Sequence, residues 1–273
     1  MKRWQACCLA VELVVLPGGS IALAEEIPPP AALERLGARP VMLSVIEPHL
    51  STPEHPVAVD YLSFPAPVVI SAALGPEWEA KTKMIEFRAL DGYVSRIDVT
   101  RLGNGKAYMA FARADGSPFT VDNLAQNENN VPLGPYYLIW DNRGDPDLLS
   151  EGARNWPYQV IDVSLSNASE AALHPPGFDP ALEPGLSSAK ANCLTCHQVN
   201  GFGGGKVEGN LALVARAMPV AEFVKWTLEP SSVKPDTAMP ALSANLDEAQ
   251  RRAIAQSIYE YLSHVPIAPT PKS

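Results

Sequence analysis

The chain has 273 residues, 47% of them hydrophobic and 19% charged, a globular composition that suggests two domains and excludes a disordered chain. A formal net charge of -9 and a pI near 5.1 argue against a nucleic-acid binder, because no basic stripe is present to neutralise phosphates. Such a balance suits a partner with a basic or dipolar surface.

Residues 1–24 carry the pattern of an export signal. Lys2 and Arg3 form a positive start, and Ala6 to Leu16 is mostly apolar apart from Glu12. Pro17-Gly18-Gly19 breaks the run, and Ala22-Leu23-Ala24 has the small-x-small form of a cleavage site. A membrane anchor would need about 20 uninterrupted apolar residues. The expectation is a periplasmic protein without a membrane span in the mature chain. Cys7 and Cys8 would leave with the signal, so Cys193 and Cys196 would be its remaining cysteines.

Residues 25–173 read as a β-rich domain. Pro28-Pro29-Pro30 suggests an extended lead-in that forms neither helix nor central strand. Val41 to Ile46 and Val57 to Leu62 are short β-like runs, and Pro67 to Leu74 is a third apolar run. Trp78 to Lys83 suits a helical turn. Met84 to Leu90, Asp91-Gly92, and Tyr93 to Val99 then read as strand, turn and strand. Ala107 to Arg113 is a further strand, stopped by Asp115-Gly116-Ser117-Pro118. The polar run Asp122 to Asn130 reads as loop, and Tyr136 to Trp140 and Tyr158 to Leu165 as strands.

Residues 174–184, rich in Pro and Gly, read as a linker. Beyond them the period changes to helical. Gly185 to Asn192 is a short helix; Val220, Phe223, Val224 and Leu228 mark one helical face, and Ile254, Ile258, Tyr261 and Leu262 another. Asn245 or Asp247 would cap the last helix, and residues 266–273 form a Pro-rich tail.

Cys193-Leu194-Thr195-Cys196-His197 is the attachment sequence of a c-type haem. Two thiols three apart can add to both vinyl groups at one haem edge, and the adjacent imidazole falls under the iron as proximal ligand. Thiol redox chemistry and zinc are the alternatives, although zinc needs a second ligand pair that the sequence lacks. Gly201-Phe202-Gly203-Gly204-Gly205-Lys206 is not a phosphate loop, because Asn200 and Val207 stand where Walker chemistry needs Gly and Ser or Thr. It reads as a flexible loop beside the haem edge.

Together, Gly185, the Cys-x-x-Cys-His motif, the Gly-rich loop, Trp226, Met239-Pro240 and a C-terminal helix over residues 185–265 resemble a class I cytochrome c. The resemblance implies a small all-α fold with the C-terminal helix across the first one, and one covalent haem c. It makes Met239 the distal ligand, since the family places its axial methionine in the loop before the final helix. Met218 is also followed by proline but precedes the middle helix and reads as core; His264 lies beyond the last helix and reads as surface. Trp226 resembles the family tryptophan that meets a haem propionate, with core packing as the alternative. Asn210 stands where relatives carry the proline whose carbonyl accepts the proximal histidine N–H. Met/His ligation favours ferrous iron and fills both axial sites, which suits electron transfer rather than substrate binding.

In the first domain, Leu90-Asp91-Gly92-Tyr93, Ala107 to Phe119, Gly134 to Trp140 and Trp156-Pro157-Tyr158 follow in an order that resembles the molybdopterin-binding domain of the sulfite oxidase family. That family binds molybdenum through a cysteine thiolate, and none lies between Cys8 and Cys193, which implies a degenerate, metal-free relative. His49, His55 and Glu54 in a Pro-rich loop read as solvated, and so do Asp141, Asp145 and Asp147.

The fold class expected is therefore a mostly-β N-terminal domain followed by an all-α cytochrome domain. The function expected is electron transfer between a periplasmic dehydrogenase and a respiratory acceptor, with the first domain as docking module. A sulfite-type oxidoreductase would instead contain molybdenum, and a haem-based sensor or assembly protein would bind carbon monoxide readily.

Overall fold

The computed structural model describes residues 25–52, 54–166, 170–242 and 246–268. The expected signal, Cys7, Cys8, Asn245 and most of the tail lie outside the described residues. The chain up to Leu165 contains β1 (Glu25–Glu26), α1 (Pro30–Arg35), β2 (Val41–Ile46), β3 (Ala58–Pro65), α2 (Ala66–Leu74), α3 (Trp78–Lys81), β4 (Met84–Ala89) and β5 (Val94–Asp98). There follow α4 (Val99–Leu102), β6 (Ala107–Arg113), β7 (Thr120–Asn123), β8 (Glu128–Pro132), β9 (Tyr137–Trp140), α5 (Pro146–Ser150) and β10 (Val160–Leu165). After residue 182 come α6 (Glu183–Asn192), β11 (Gln198–Val199), β12 (Phe202–Gly203), α7 (Leu211–Arg216), α8 (Val220–Leu228), α9 (Pro230–Val233) and α10 (Glu248–His264).

Two antiparallel four-stranded sheets carry the first part of the chain, in the orders β1-β10-β4-β5 and β2-β3-β6-β9. Alternation explains why β3 forms: Val59, Tyr61 and Phe64 point inward while Ala58 and Asp60 face water. Both sheets feed one core, which includes Trp78, Phe87, Tyr136, Tyr137 and Trp140. A separate core joins Leu173, Leu182, Leu186, Leu194, Phe202, Ile258, Tyr261 and Leu262. The molecule thus has two lobes. Among the described residues no helix is long and apolar enough to cross a membrane.

The expected split into a mostly-β half and an all-α half is overturned. The described chain is mixed, about 35% helical and 25% strand, and no all-α C-terminal domain forms. The second lobe contains the antiparallel ladder of β11 and β12, with Gln198 opposite Gly203 and Val199 opposite Phe202. Its turn is Asn200-Gly201, both left-handed at φ 52° and 84°. That is the asparagine-glycine hairpin signal, so the segment expected to be a flexible loop is a tight turn with a defined register.

Similar physics accounts for the corrections in the first lobe. Pro30 and Pro67 occupy the first turns of α1 and α2, where a missing N–H costs nothing, so the proline lead-in and the third apolar run both enter helices. The polar run Asp122 to Asn130 belongs to the β7–β8 hairpin, whose inner side is carried by the Val121–Val131 pair and closed by Asp122 accepting the Asn130 N–H at 2.7 Å. The expected linker is ordered packing. Leu182 is buried, Phe178 packs on the second core, and Asp179 caps a 3-10 turn by accepting the Ala181 N–H at 2.9 Å.

Candidate functional site

The attachment motif continues the end of α6. Cys193 closes that helix, and the N–H groups of Cys196 and His197 donate to the Cys193 carbonyl at 3.2 and 2.9 Å. This turn sets Cys193, Cys196 and His197 at i, i+3 and i+4, the spacing at which residues of a helical turn are neighbours. Helix α10 packs closely on α6. A Cβ on Gly185 would lie 2.1 Å from the Ser257 carbonyl oxygen and 2.8 Å from the Tyr261 Cβ, so the two helices meet at glycine. The start of α10 is secured by a reciprocal cap between Asp247 and Gln250.

Glycine also explains the segment after β11. Cβ atoms on Gly203 and Gly204 would lie 2.1 Å from the His197 carbonyl oxygen and 1.9 Å from that of Thr195. Gly204 donates its N–H to the carbonyls of Leu194 and His197, both at 3.0 Å, and Val207 to that of Cys196 at 3.1 Å. The glycine run is therefore a clamp laid on the backbone of the motif. No side chain fits between them.

The electrostatics of the motif follow from its burial. Burial, reinforced by Cys196, pushes the Cys193 thiol up to about 12, and burial raises Cys196 as well. Thiols held this high are poor thiolates and poor redox nucleophiles. Among the described residues no group of three or more His, Cys, Asp or Glu side chains could hold a metal ion, the motif's own three included. The His197 ring forms no hydrogen bond among the described residues, and burial lowers its pKa toward the neutral form that ligation requires. Two buried thiols and a buried imidazole within one turn are the groups that would hold a haem, the thiols at its edge and the imidazole at its iron.

The remaining candidates follow the motif in the chain. Asn210 caps α7: its side chain accepts the Ala212 N–H at 3.0 Å and donates to Asn200 Oδ1 at 3.1 Å. Its backbone bridges to Gln198, next to His197, but no hydrogen bond joins it to the imidazole. Trp226 is half-buried on α8, and its indole N–H has no partner among the described residues. Met239 is half-buried in the loop before α10, with its N–H donated to Thr237 Oγ1 at 3.1 Å. No polar contact ties Met239 or Trp226 to the motif. Met218 packs against the second core, while His264 is exposed with Nδ1 2.8 Å from the Glu260 carbonyl oxygen.

Two features were not expected from the sequence. The first is the seam between the lobes. Val94 N–H donates to the Thr195 carbonyl at 2.9 Å, and Gly205 N–H to that of Gly92 at 2.8 Å. The second is a buried polar cluster in the first lobe. Glu47, fully buried, accepts from the His49 N–H at 3.1 Å, His49 Nδ1 at 2.8 Å, Tyr137 Oη at 2.9 Å and Tyr61 Oη at 2.7 Å. His49 is thus interior, contrary to the solvated reading of its loop, while His55 is exposed. No protein-family model matches the chain, and no curated protein matches it.

Proposed function

We propose that the protein is a periplasmic electron carrier with one haem c attached through Cys193 and Cys196, linking a dehydrogenase to a respiratory acceptor. The observation that carries this reading is the tight turn from Cys193 to His197 at the end of α6, with α10 packed on that helix at Gly185 and the glycine run hydrogen-bonded to the backbone of the turn. A haem bound there supplies a one-electron iron couple. The two cysteines would hold it covalently, and His197 would supply a neutral nitrogen to its iron. Met239, on the half-buried loop after α9, would supply the second iron ligand, a soft thioether that favours the ferrous state. The first lobe serves as the module on which a redox partner docks. Export is supported by the signal-like sequence of residues 1–24.

The test is extraction of the purified protein with acidified acetone. Haem should remain with the polypeptide, and Cys193→Ser or Cys196→Ser should leave at most one thioether and lower the holoprotein yield. Complete release of haem from the wild type would sink the reading.

A further inference from the structure

The lobes touch at the attachment segment and again at the Met239 loop. At the attachment segment the β4–β5 turn is joined by the two main-chain bonds of the seam. Gly92, at φ 86°, lies so near that a Cβ there would be 2.9 Å from the Gly205 carbonyl carbon. Lys206 pairs with Asp91 at 2.8 Å and lies 4.0 Å from Glu128, both in the first lobe. The Arg96 guanidinium covers the Phe202 ring at 4.2 Å.

At the second contact, the tip of the β7–β8 hairpin reaches the loop that carries Met239. Asn127 is left-handed there, at φ 55°. Its side-chain amide donates to Ser231 Oγ at 3.2 Å and to the Thr237 carbonyl at 3.4 Å. Thr237 is buried and in turn receives the Met239 N–H. The far end of that loop is tied by Leu242 N–H to the Thr227 carbonyl at 2.9 Å. Asn127 is thus a tie from the first lobe to the middle of the loop, two residues from Met239.

We propose that the first lobe is part of the haem crevice, bridging the segment of Cys193, Cys196 and His197 to the Met239 loop, with Asn127 as the residue that positions that loop. This rests on the ligand assignment proposed above. A neutral thioether ligates only from the fraction of loop conformers that present it, so each tie on the loop raises the ligated population. The first lobe is then more than a docking module: it helps to hold the distal ligand in place.

The experiment uses the full-length holoprotein and two variants. Asn127→Gly keeps the left-handed backbone, which glycine takes without strain, and removes the amide. Asn127→Asp keeps the size and tolerates the same backbone but cannot donate. Both should fold, because the side chain is exposed. Three readings are taken: the weak sulfur-to-iron band of the ferric protein, carbon monoxide affinity of the ferrous protein, and amide hydrogen exchange of residues 236–240. In both variants the band should weaken, and carbon monoxide affinity and exchange should each rise about fivefold, the worth of one net hydrogen bond. Unchanged values of all three in both variants would overturn the bridge. Wild-type protein that holds covalent haem but lacks the band would overturn the Met239 assignment and this proposal with it, while leaving haem attachment standing.

Discussion

The buried carboxylate of Glu47 offers the sharpest test of the first lobe's energetics. Glu47→Gln keeps the shape and replaces an acceptor of four hydrogen bonds by a neutral amide. With the amide oxygen facing His49 and Tyr137, the amide nitrogen faces Tyr61, whose hydroxyl must turn from donor to acceptor. Hydrogen bonds to a charged group contribute about 1.5–3 kcal/mol and neutral ones about 0.5–1.5. The loss is therefore about 1 kcal/mol per bond and about 4 kcal/mol in all, close to the cost of breaking a buried pair. At this chain length that lowers the midpoint of thermal unfolding by about 8–16 °C. Urea unfolding followed by the first-lobe tryptophans Trp78, Trp140 and Trp156 measures it. The pH dependence supplies an independent check. Burial alone would raise the Glu47 pKa, but the hydrogen bond and charge interaction with His49 and the bond from Tyr61 outweigh it, and the folded value lies below the ordinary 4.5. A depressed carboxylate stabilises the fold above its unfolded pKa, and that contribution disappears as pH falls through the folded value. The gap between wild type and variant should be full above about pH 5 and narrow as pH falls below 4.5. A difference under about 1 kcal/mol at neutral pH, or one that widens in acid, would refute the account.

Three further outcomes follow from the second lobe and the surface. Gly185→Ala places a methyl 2.1 Å from the Ser257 carbonyl oxygen, so α6 and α10 must part. The helix-propensity gain of about 1 kcal/mol is outweighed by overpacking of about 1–3 kcal/mol or more, and chemical denaturation should register a net loss. Met239→Ala should abolish the sulfur-to-iron band, whereas Met218→Ala should leave it and instead destabilise the second core; the opposite pattern would reassign the ligand. Reduction by the partner dehydrogenase should slow as salt rises, because an acidic chain of net charge -9 meeting a basic surface is steered by charge; a flat salt profile would exclude such a surface.

Much of the local structure could be read from composition and period. Strands β2, β4, β5, β6, β9 and β10 fall within the apolar runs that suggested them, because each has one or both faces on a core. Helix α10 buries Ile258, Tyr261 and Leu262, members of the face its period marks, and Asp247 is its cap. The attachment motif is a fixed spacing, so its three side chains share a turn. What the period could not show are features decided by single backbone positions. Asn200-Gly201 makes a hairpin inside a helical region, Pro30 opens a helix where the lead-in was expected to form none, and Pro67 sits in the first turn of a helix at a run read only as apolar. His49 lies in a loop rich in proline, yet it is buried because Glu47, at the end of β2, is interior and requires donors.

The seam between the lobes shows most clearly why such contacts escape a one-dimensional reading. Asp91-Gly92 carries a turn signal, and the turn does form: Gly92 N–H donates to the Ala89 carbonyl at 3.0 Å, with φ at 86°. The same glycine has a second task that no turn rule contains. Its bare α-carbon lets the chain approach Gly205 closely enough for main-chain pairing, and Gly205 belongs to the run that clamps the haem motif. Main-chain bonds fix distance and direction together, whereas a flexible tether would supply only effective concentration. The first lobe therefore holds a fixed orientation relative to Cys196 and His197, and the bare α-carbons of Gly92 and Gly205 are what let two lobes with separate cores pair their backbones at this segment.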